Sequence, residues 1–249
     1  MPSLPLLKAL TMSGIGSRRR LADAIKQSRV AVNGGVIEDF RYPVDTEKDR
    51  VTIDGRPIKP GIEQPVYLLL NKPGGVISTV RDERGRRTII DCLPQKYCNL
   101  RLYPVGRLDK DSTGLLLLTN DGELTHKLTH PSFENEKEYL VRVSTRLQSS
   151  EKRKLEQGVE LEDGKTHPAL VKEVPSLPQF SYSVTIHEGR KRQVRRMFDS
   201  IGHCVLSLKR IRMGNLTLGD LGEGMSRELT VGEVRGLRRG TIPVERQST

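Results

Sequence analysis

Gly106-Arg107-Leu108-Asp109-Lys110-Asp111-Ser112-Thr113-Gly114-Leu115-Leu116-Leu117-Leu118-Thr119-Asn120-Asp121-Gly122 is the stretch from which the rest of the chain is best read. A glycine-bracketed acidic loop runs directly into an apolar strand, and turn residues end that strand. Glycines permit a tight backbone and the strand anchors it, so such a loop can hold a carboxylate rigidly at the mouth of a pocket. Arg107 and Lys110 flank the carboxylates. A nearby cation keeps an aspartate ionised and lowers its pKa by roughly 1–3 units. An ionised aspartate can act as nucleophile or general base. On local chemistry alone, a plain acidic turn with capping carboxylates reads equally well.

Asp109-x-Asp111-x-Thr113 also fits the D-x-D-x-T pattern of aspartate-based phosphatases. There the motif follows a buried strand. Here the apolar strand follows the loop, and Thr119 stands only six residues beyond Thr113. A parallel crossover needs about a dozen residues, so that reading fails.

Downstream and upstream of the loop, strands are expected at 66–71, 115–119, 137–143, 169–174, 180–187, 204–213 and 227–231, with helices at 122–129, 149–157 and 190–201. Strands outnumber helices and often follow one another directly. This predicts an α+β fold with a mixed, largely antiparallel sheet flanked by helices, rather than a doubly wound parallel sheet. The first 60 residues read as a separate small module of helices plus short strands. Leu6, Leu7 and Leu10 share a helical face, Gly14-Ile15-Gly16 breaks it, and Ser17 is a good N-cap for a second helix bearing Leu21, Ala22 and Ile25. Val30-Ala31-Val32-Asn33-Gly34-Gly35-Val36-Ile37 reads as a hairpin, Val51-Thr52-Ile53 as a third strand, and Asp54-Gly55-Arg56-Pro57 as the turn out. The prolines and glycine of residues 57–65 mark a linker. The expected division is 1–60, 61–240 and a polar tail at 241–249.

The 249 residues carry 42 Lys+Arg against 31 Asp+Glu, a formal charge of +11. That balance points to polyanionic partners, nucleic acid first. No apolar run approaches the roughly 20 residues that span a bilayer, so no membrane association is expected. Cys92, Cys98 and Cys204 form no C-x-x-C pair, which argues against a disulfide framework or structural zinc and makes a reducing cytoplasm the expected location. His126 and His130, at i and i+4, could share a metal, but no third ligand is evident and Pro131 ends the helix at once, so no metal site is expected.

Cations concentrate in two places. Residues 188–212 hold eight Lys or Arg against two acids, and Val194, Met197, Phe198 and Ile201 keep a helical period that leaves Arg192, Arg195 and Arg196 on the remaining surface. The forked donors of Arg190, Arg192, Arg196 and Arg210 suit phosphate recognition. Arg18, Arg19 and Arg20 follow Ser17 in a helical first turn, where they oppose the helix dipole unless phosphate oxygens are shared between them and the free N–H groups. Tyr139, in the alternating strand Lys137-Glu138-Tyr139-Leu140-Val141-Arg142-Val143, could stack on a nucleobase or simply be a half-buried strand residue.

These pieces together resemble a known family. Gly16-Ser17-Arg18-Arg19, Arg29-Val30-Ala31-Val32-Asn33-Gly34 and Asp49-Arg50-Val51-Thr52-Ile53-Asp54-Gly55 resemble an S4 RNA-binding domain. Leu70-Asn71-Lys72-Pro73-Gly74-Gly75, the Gly106–Gly122 stretch, Glu138-Tyr139, Glu188-Gly189-Arg190 through Met197 and Arg210-Ile211-Arg212-Met213-Gly214 resemble the small-subunit/large-subunit type of ribosomal RNA pseudouridine synthase. The likeness covers nearly the whole chain. It implies isomerisation of uridine to pseudouridine with no cofactor. Asp109 corresponds to the family's essential aspartate, Tyr139 to the tyrosine that packs on the base, Arg195 to the basic residue that pairs with the aspartate, and Leu208 to the apolar residue closing a pocket that Arg107 also lines. Gly158-Val159-Glu160-Leu161-Glu162-Asp163-Gly164 and residues 227–231 look closer to the large-subunit branch. The expected partner is therefore 23S rRNA or a pre-ribosomal particle, bound by a monomer. The alternatives are 16S rRNA as target, or a non-catalytic S4-containing assembly factor.

Overall fold

The computed structural model describes residues 3–58 and 64–239. The linker expected within 57–65 falls partly, and the tail at 241–249 wholly, outside the described residues. The chain divides into two compact units at Pro65/Val66, with residues 99–101 grouping with the first.

In the first unit, helix α1 (Leu6–Met12) and helix α2 (Arg18–Lys26) pack Leu6, Leu10, Leu21 and Ile25 against Val30, Val32, Val44 and Val51. Ser17 caps α2 by accepting from the Arg20 amide at 3.2 Å. Strands β1 (Val30–Val32), β2 (Gly35–Val36), β3 (Val51–Ile53) and β4 (Arg56–Ile58) form an antiparallel sheet in the order β2-β1-β3-β4. Asn33-Gly34 turns β1 into β2 with both residues in the left-handed region, as a tight hairpin requires. Asp54-Gly55 makes the same turn, and this corrects the expectation that the chain leaves the module there. It folds back as β4 instead.

The second unit is built on one mixed sheet. Its strands are β5 (Tyr67–Lys72), β6 (Thr113–Thr119), β7 (Lys137–Val143), β8 (Leu170–Glu173), β9 (Tyr182–Ile186), β10 (Val205–Met213) and β11 (Ser226–Glu228), in the order β8-β9-β7-β10-β6-β5-β11. Every neighbouring pair in that order is antiparallel except β10–β6, so the sheet is mixed and largely antiparallel, as the pattern predicts. Leu68–Leu70 and Leu115–Leu118 are fully buried, which is why these central strands read as continuous apolar runs rather than alternations. Helix α3 (Gly122–Thr129), capped by Asp121 at the Leu124 amide (3.0 Å), packs Leu124 and Leu128 with Leu69, Leu115 and Leu117. Helix α4 (Ser149–Gln157) starts where Glu151 reaches back to the Gln148 amide at 2.7 Å.

Two elements differ from expectation. Helix α5 runs only over Gln193–Asp199, because Arg192 sits in the left-handed region (φ 51°) and cannot belong to a regular helix. Residues 227–231 are half strand: after β11, helix α6 (Val231–Arg239) begins with Thr230 and Glu233 bonding each other's backbone amides at 2.7 and 3.2 Å. Leu237 of α6 joins the core of α3, β5 and β6.

The β10–β6 contact is narrow and glycine-dependent. Only Lys209 with Thr113 and Arg210 with Gly114 are in register. Gly114 has φ +98°, and a β-carbon there would lie 2.2 Å from the Arg210 carbonyl oxygen. Gly114→Ala should therefore cost about 2–3 kcal/mol in urea denaturation, from backbone strain and enforced separation of the strands. A loss below about 0.5 kcal/mol would contradict the close approach.

Candidate active site

The loop between Val105 and Ser112 enters β6 alongside β10. The Val105 amide donates to the Leu117 carbonyl (2.8 Å), the Ser112 amide to the Asp109 carbonyl (3.1 Å), and the Gly75 amide to the Lys110 carbonyl (2.9 Å). Beneath it lies Lys72, the last residue of β5 and fully buried. Its ammonium donates to the carbonyls of Ser112 (2.8 Å), Pro73 (2.9 Å) and Lys110 (3.4 Å). Burial pushes the Lys72 pKa down to about 8, a fall the nearby carboxylates of Asp111 and Asp109 only partly offset.

Asp109 is the half-buried carboxylate of this loop, its side chain 33% exposed against 50% for Asp111. The Arg192 guanidinium lies 3.9 Å from it and 3.1 Å from Asp111. Burial raises the Asp111 pKa, but the hydrogen bond from Arg192 and the charge of Arg195 outweigh it and hold that carboxyl below the usual range. Arg195, nearly buried in α5, donates to the Val205 carbonyl (2.7 Å) and the Asp111 carbonyl (3.3 Å), and its ion pair is with the Asp111 carboxylate at 3.2 Å. The aspartate that Arg195 pairs with is thus Asp111 rather than Asp109. Arg192, not Arg195, approaches both.

The sheet brings Tyr139 to the same place. Tyr139 pairs with Arg210 across β7–β10, and Arg210 pairs with Gly114 across β10–β6, so one rung links the tyrosine to the strand that Asp109 leads into. A bulge at Ile211 sets this rung. Glu138 faces Arg212 while Tyr139 faces Arg210, so Arg212 reaches Glu138 (2.8 Å) and Glu136 (2.9 Å) while Arg210 keeps Tyr139's face. Tyr139 is 8% exposed. Leu208, opposite Val141 and buried, lies on that face as well. Arg107 is exposed.

Three of the arginines expected to bind phosphate are engaged internally. Arg190 donates to Glu188 (2.9 Å) and to the Gly164 and Lys165 carbonyls (both 2.7 Å). Arg196 forks onto the Asp163 carboxylate at 2.9 and 3.0 Å. Arg210 is 2% exposed and donates to the Leu115 carbonyl at 2.8 Å. Each holds the fold together, and a phosphate would have to displace those acceptors. Arg18, Arg19 and Arg20 are exposed at the start of α2, and Arg192 is partly exposed. His126 and His130 stack with ring centroids 4.9 Å apart, and His130 accepts from the Ser132 amide, a local turn role. No group of three or more His, Cys, Asp or Glu that could hold a metal gathers among the described residues. No helix among them is long and apolar enough to cross a membrane.

Lys72 is not marked as a site residue by the sequence, because a lysine closing the strand Tyr67-Leu68-Leu69-Leu70-Asn71-Lys72 ordinarily reads as an exposed strand end. The four arginines within Arg81–Arg87 are likewise not among the expected contacts, although the cluster is visible by composition. The depressed Lys72 pKa has a thermodynamic signature. The folded protein binds fewer protons than the unfolded chain between about pH 8 and the ordinary lysine value, so this group's contribution to stability rises with pH through that window. The wild-type minus Lys72→Met difference in unfolding free energy should therefore grow on the order of 1–2 kcal/mol between roughly pH 7.5 and 9.5. A flat difference would contradict the buried ammonium.

Comparison with known proteins agrees with this geometry. Residues 66–200 match the model of the RNA pseudouridylate synthase family. The chain is 45% identical over 236 residues to the ribosomal large subunit pseudouridine synthase B of Bacillus subtilis (strain 168), covering 94% of this chain and 95% of that one. It is 38% identical over 239 residues to an uncharacterized RNA pseudouridine synthase of Aquifex aeolicus (strain VF5), covering 95% and 94%. A solved structure, described as a crystal structure of pseudouridylate synthase, superposes with a TM-score of 0.67 at 33% identity over 94% of this chain and all of that one. With family motif, relatives and fold in accord, the chain belongs to the RNA pseudouridylate synthase family and is a pseudouridine synthase.

Proposed function

We propose that this synthase isomerises a uridine of 23S ribosomal RNA in the cytoplasm, with Asp109 as the reacting carboxylate. The observation that carries the reading is the half-buried Asp109, on a loop whose backbone is fixed by Lys72 and whose strand shares a rung with Tyr139. The resemblance to a relative named for the large ribosomal subunit supports 23S over 16S. A non-catalytic assembly factor would have no use for a carboxylate presented toward RNA, where it repels phosphate.

The chemistry is a rearrangement within one nucleoside. The uridine must leave its stack, which costs a few kcal/mol that contacts to the backbone offset. Asp109 assists rupture of the N1–C1′ bond, either by attacking the sugar or by taking a ribose proton. The freed uracil turns against Tyr139 and Leu208 and C5 bonds to C1′, as the Asp109–C1′ bond breaks or, in the other route, as Asp109 returns the ribose proton; the C5 proton then leaves and N1 gains a proton. Atoms and charge balance with no redox partner. Arg192 and Arg195 keep Asp111 ionised beside Asp109 and tie the loop to α5.

The first unit acts, in this reading, as an S4-type anchor whose Ser17-capped helix presents Arg18, Arg19 and Arg20 to phosphates. Replacing these three arginines by Gln should make the log–log salt dependence of rRNA binding less steep by about 2, at roughly 0.7 per single-strand phosphate contact. An unchanged slope would remove them from the interface. The target is tested by mapping pseudouridines in both rRNAs from cells with and without the gene. The account predicts that a 23S site is lost, that wild type restores it, and that Asp109→Asn does not. Loss from 16S, or restoration by the variant, would contradict it.

A further inference from the structure

Leu108, the residue before Asp109, has both backbone polar groups held by one distant side chain. The Ser78 hydroxyl donates to the Leu108 carbonyl at 2.8 Å and accepts from the Leu108 amide at 3.1 Å, thirty residues away in sequence. A serine hydroxyl offers one donor and two acceptor positions, so this double clasp uses its donor and one acceptor. The Leu108 carbonyl belongs to the peptide plane that carries the Asp109 amide. Fixing that plane fixes the position of the Asp109 Cα, from which the carboxylate projects.

Ser78 also stands at the root of an arginine-rich excursion. The Ile77 amide donates to the Arg87 carbonyl (3.0 Å) and the Ile89 amide to the Ile77 carbonyl (3.2 Å), so residues 79–87 leave and return beside it. Thr79 bonds the Arg81 carbonyl at 3.0 Å. Asp82 accepts from the Arg84 amide (3.1 Å), the Arg86 amide (2.8 Å) and the Arg86 guanidinium (2.6 Å), which shapes the tip. Arg81, Arg84 and Arg87 are exposed and form no ion pair with the described residues. Unlike Arg190 and Arg196, they offer guanidiniums that a phosphate can take without displacing a carboxylate.

We propose that Ser78 is a positioning residue for Asp109, and the joint through which docking of the Arg81–Arg87 loop on RNA phosphates sets that carboxylate. This rests on the reading of Asp109 given above. The loop is cationic and braced by Asp82, its root is clasped to the backbone preceding Asp109, and displacements at a reacting group of even about an ångström cost rate rather than affinity.

The test uses the full-length protein and a 23S rRNA transcript labelled with tritium at uridine C5, following tritium release at saturating enzyme and RNA binding at fixed salt. Ser78→Ala should lower the maximal rate about tenfold or more while leaving Kd within about twofold, and Ser78→Thr, which keeps the hydroxyl, should restore the rate. The triple variant Arg81→Gln, Arg84→Gln, Arg87→Gln should raise Kd and also lower the maximal rate. Added to Ser78→Ala, it should lower the rate no further. A normal rate in Ser78→Ala, an equal loss in Ser78→Thr, or multiplicative losses in the combined variant would overturn the proposal. Should Ser78→Ala fail to fold, the arginine variant alone decides: a raised Kd with an unchanged saturated rate overturns it. Asp109→Asn in the same assay separates the two readings. Wild-type release by that variant would sink both, whereas an inactive Asp109→Asn beside a fully active Ser78→Ala would sink only the role of Ser78.

Discussion

The ammonium of Lys72, enclosed by the carbonyls of Pro73, Lys110 and Ser112, is the interaction on which the site depends. An acidic loop presented to a polyanion must stay in place against repulsion, and a buried cation beneath its backbone supplies a fixed reference. The cost is desolvation, which appears as the depressed pKa of that lysine. Gly114 completes the arrangement from the other side. By letting the backbone of β10 approach β6, it brings the rung of Tyr139 and Arg210 up to the strand that Asp109 leads into.

Charge in this molecule divides into cations that are spent on the fold and cations left for a partner. Arg190, Arg195, Arg196 and Arg210 are buried or committed to carbonyls and carboxylates of the second unit. Arg81, Arg84, Arg87 and Arg107 are exposed in the same unit, and Arg18, Arg19 and Arg20 in the first. A net charge of +11 therefore states the attraction to RNA but not where it is exerted. The two aspartates of the loop divide likewise. Asp111, the more exposed of the two, is tied down by Arg192 and Arg195, while Asp109 is half-buried with Arg192 at the edge of ion-pair range.

Much of this was legible in the sequence, for local reasons. Strand β7 and helices α3 and α4 lie where alternation, helical period and capping residues put them, because those signals are written within a few positions. The Asn33-Gly34 and Asp54-Gly55 turns are equally local, yet the strand after the second was read as linker because Pro57 and Pro60 weighed more than the turn. Helix α6 is not among the expected elements although Thr230-Val231-Gly232-Glu233 carries a capping box, since the strand expected at 227–231 overlaps its start. The shortened α5 could not be foreseen, because nothing in the sequence marks Arg192 for a left-handed backbone. In the site, Asp109, Tyr139 and Arg195 were marked by motif, and the fold brings their elements together. Arg195's choice of Asp111, the burial of Lys72 and the capture of Arg196 by Asp163 depend on contacts between distant segments, which spacing does not encode.

The central claim is that an extruded uridine meets Asp109 with its base against Tyr139. The most direct measurement is a structure of the Asp109→Asn variant bound to an rRNA fragment bearing the uridine it modifies. The account predicts that uridine out of its stack, with C1′ within contact of residue 109 and the uracil ring against Tyr139 and Leu208. A target uridine still stacked in its helix, or seated away from residues 109 and 139, would contradict it.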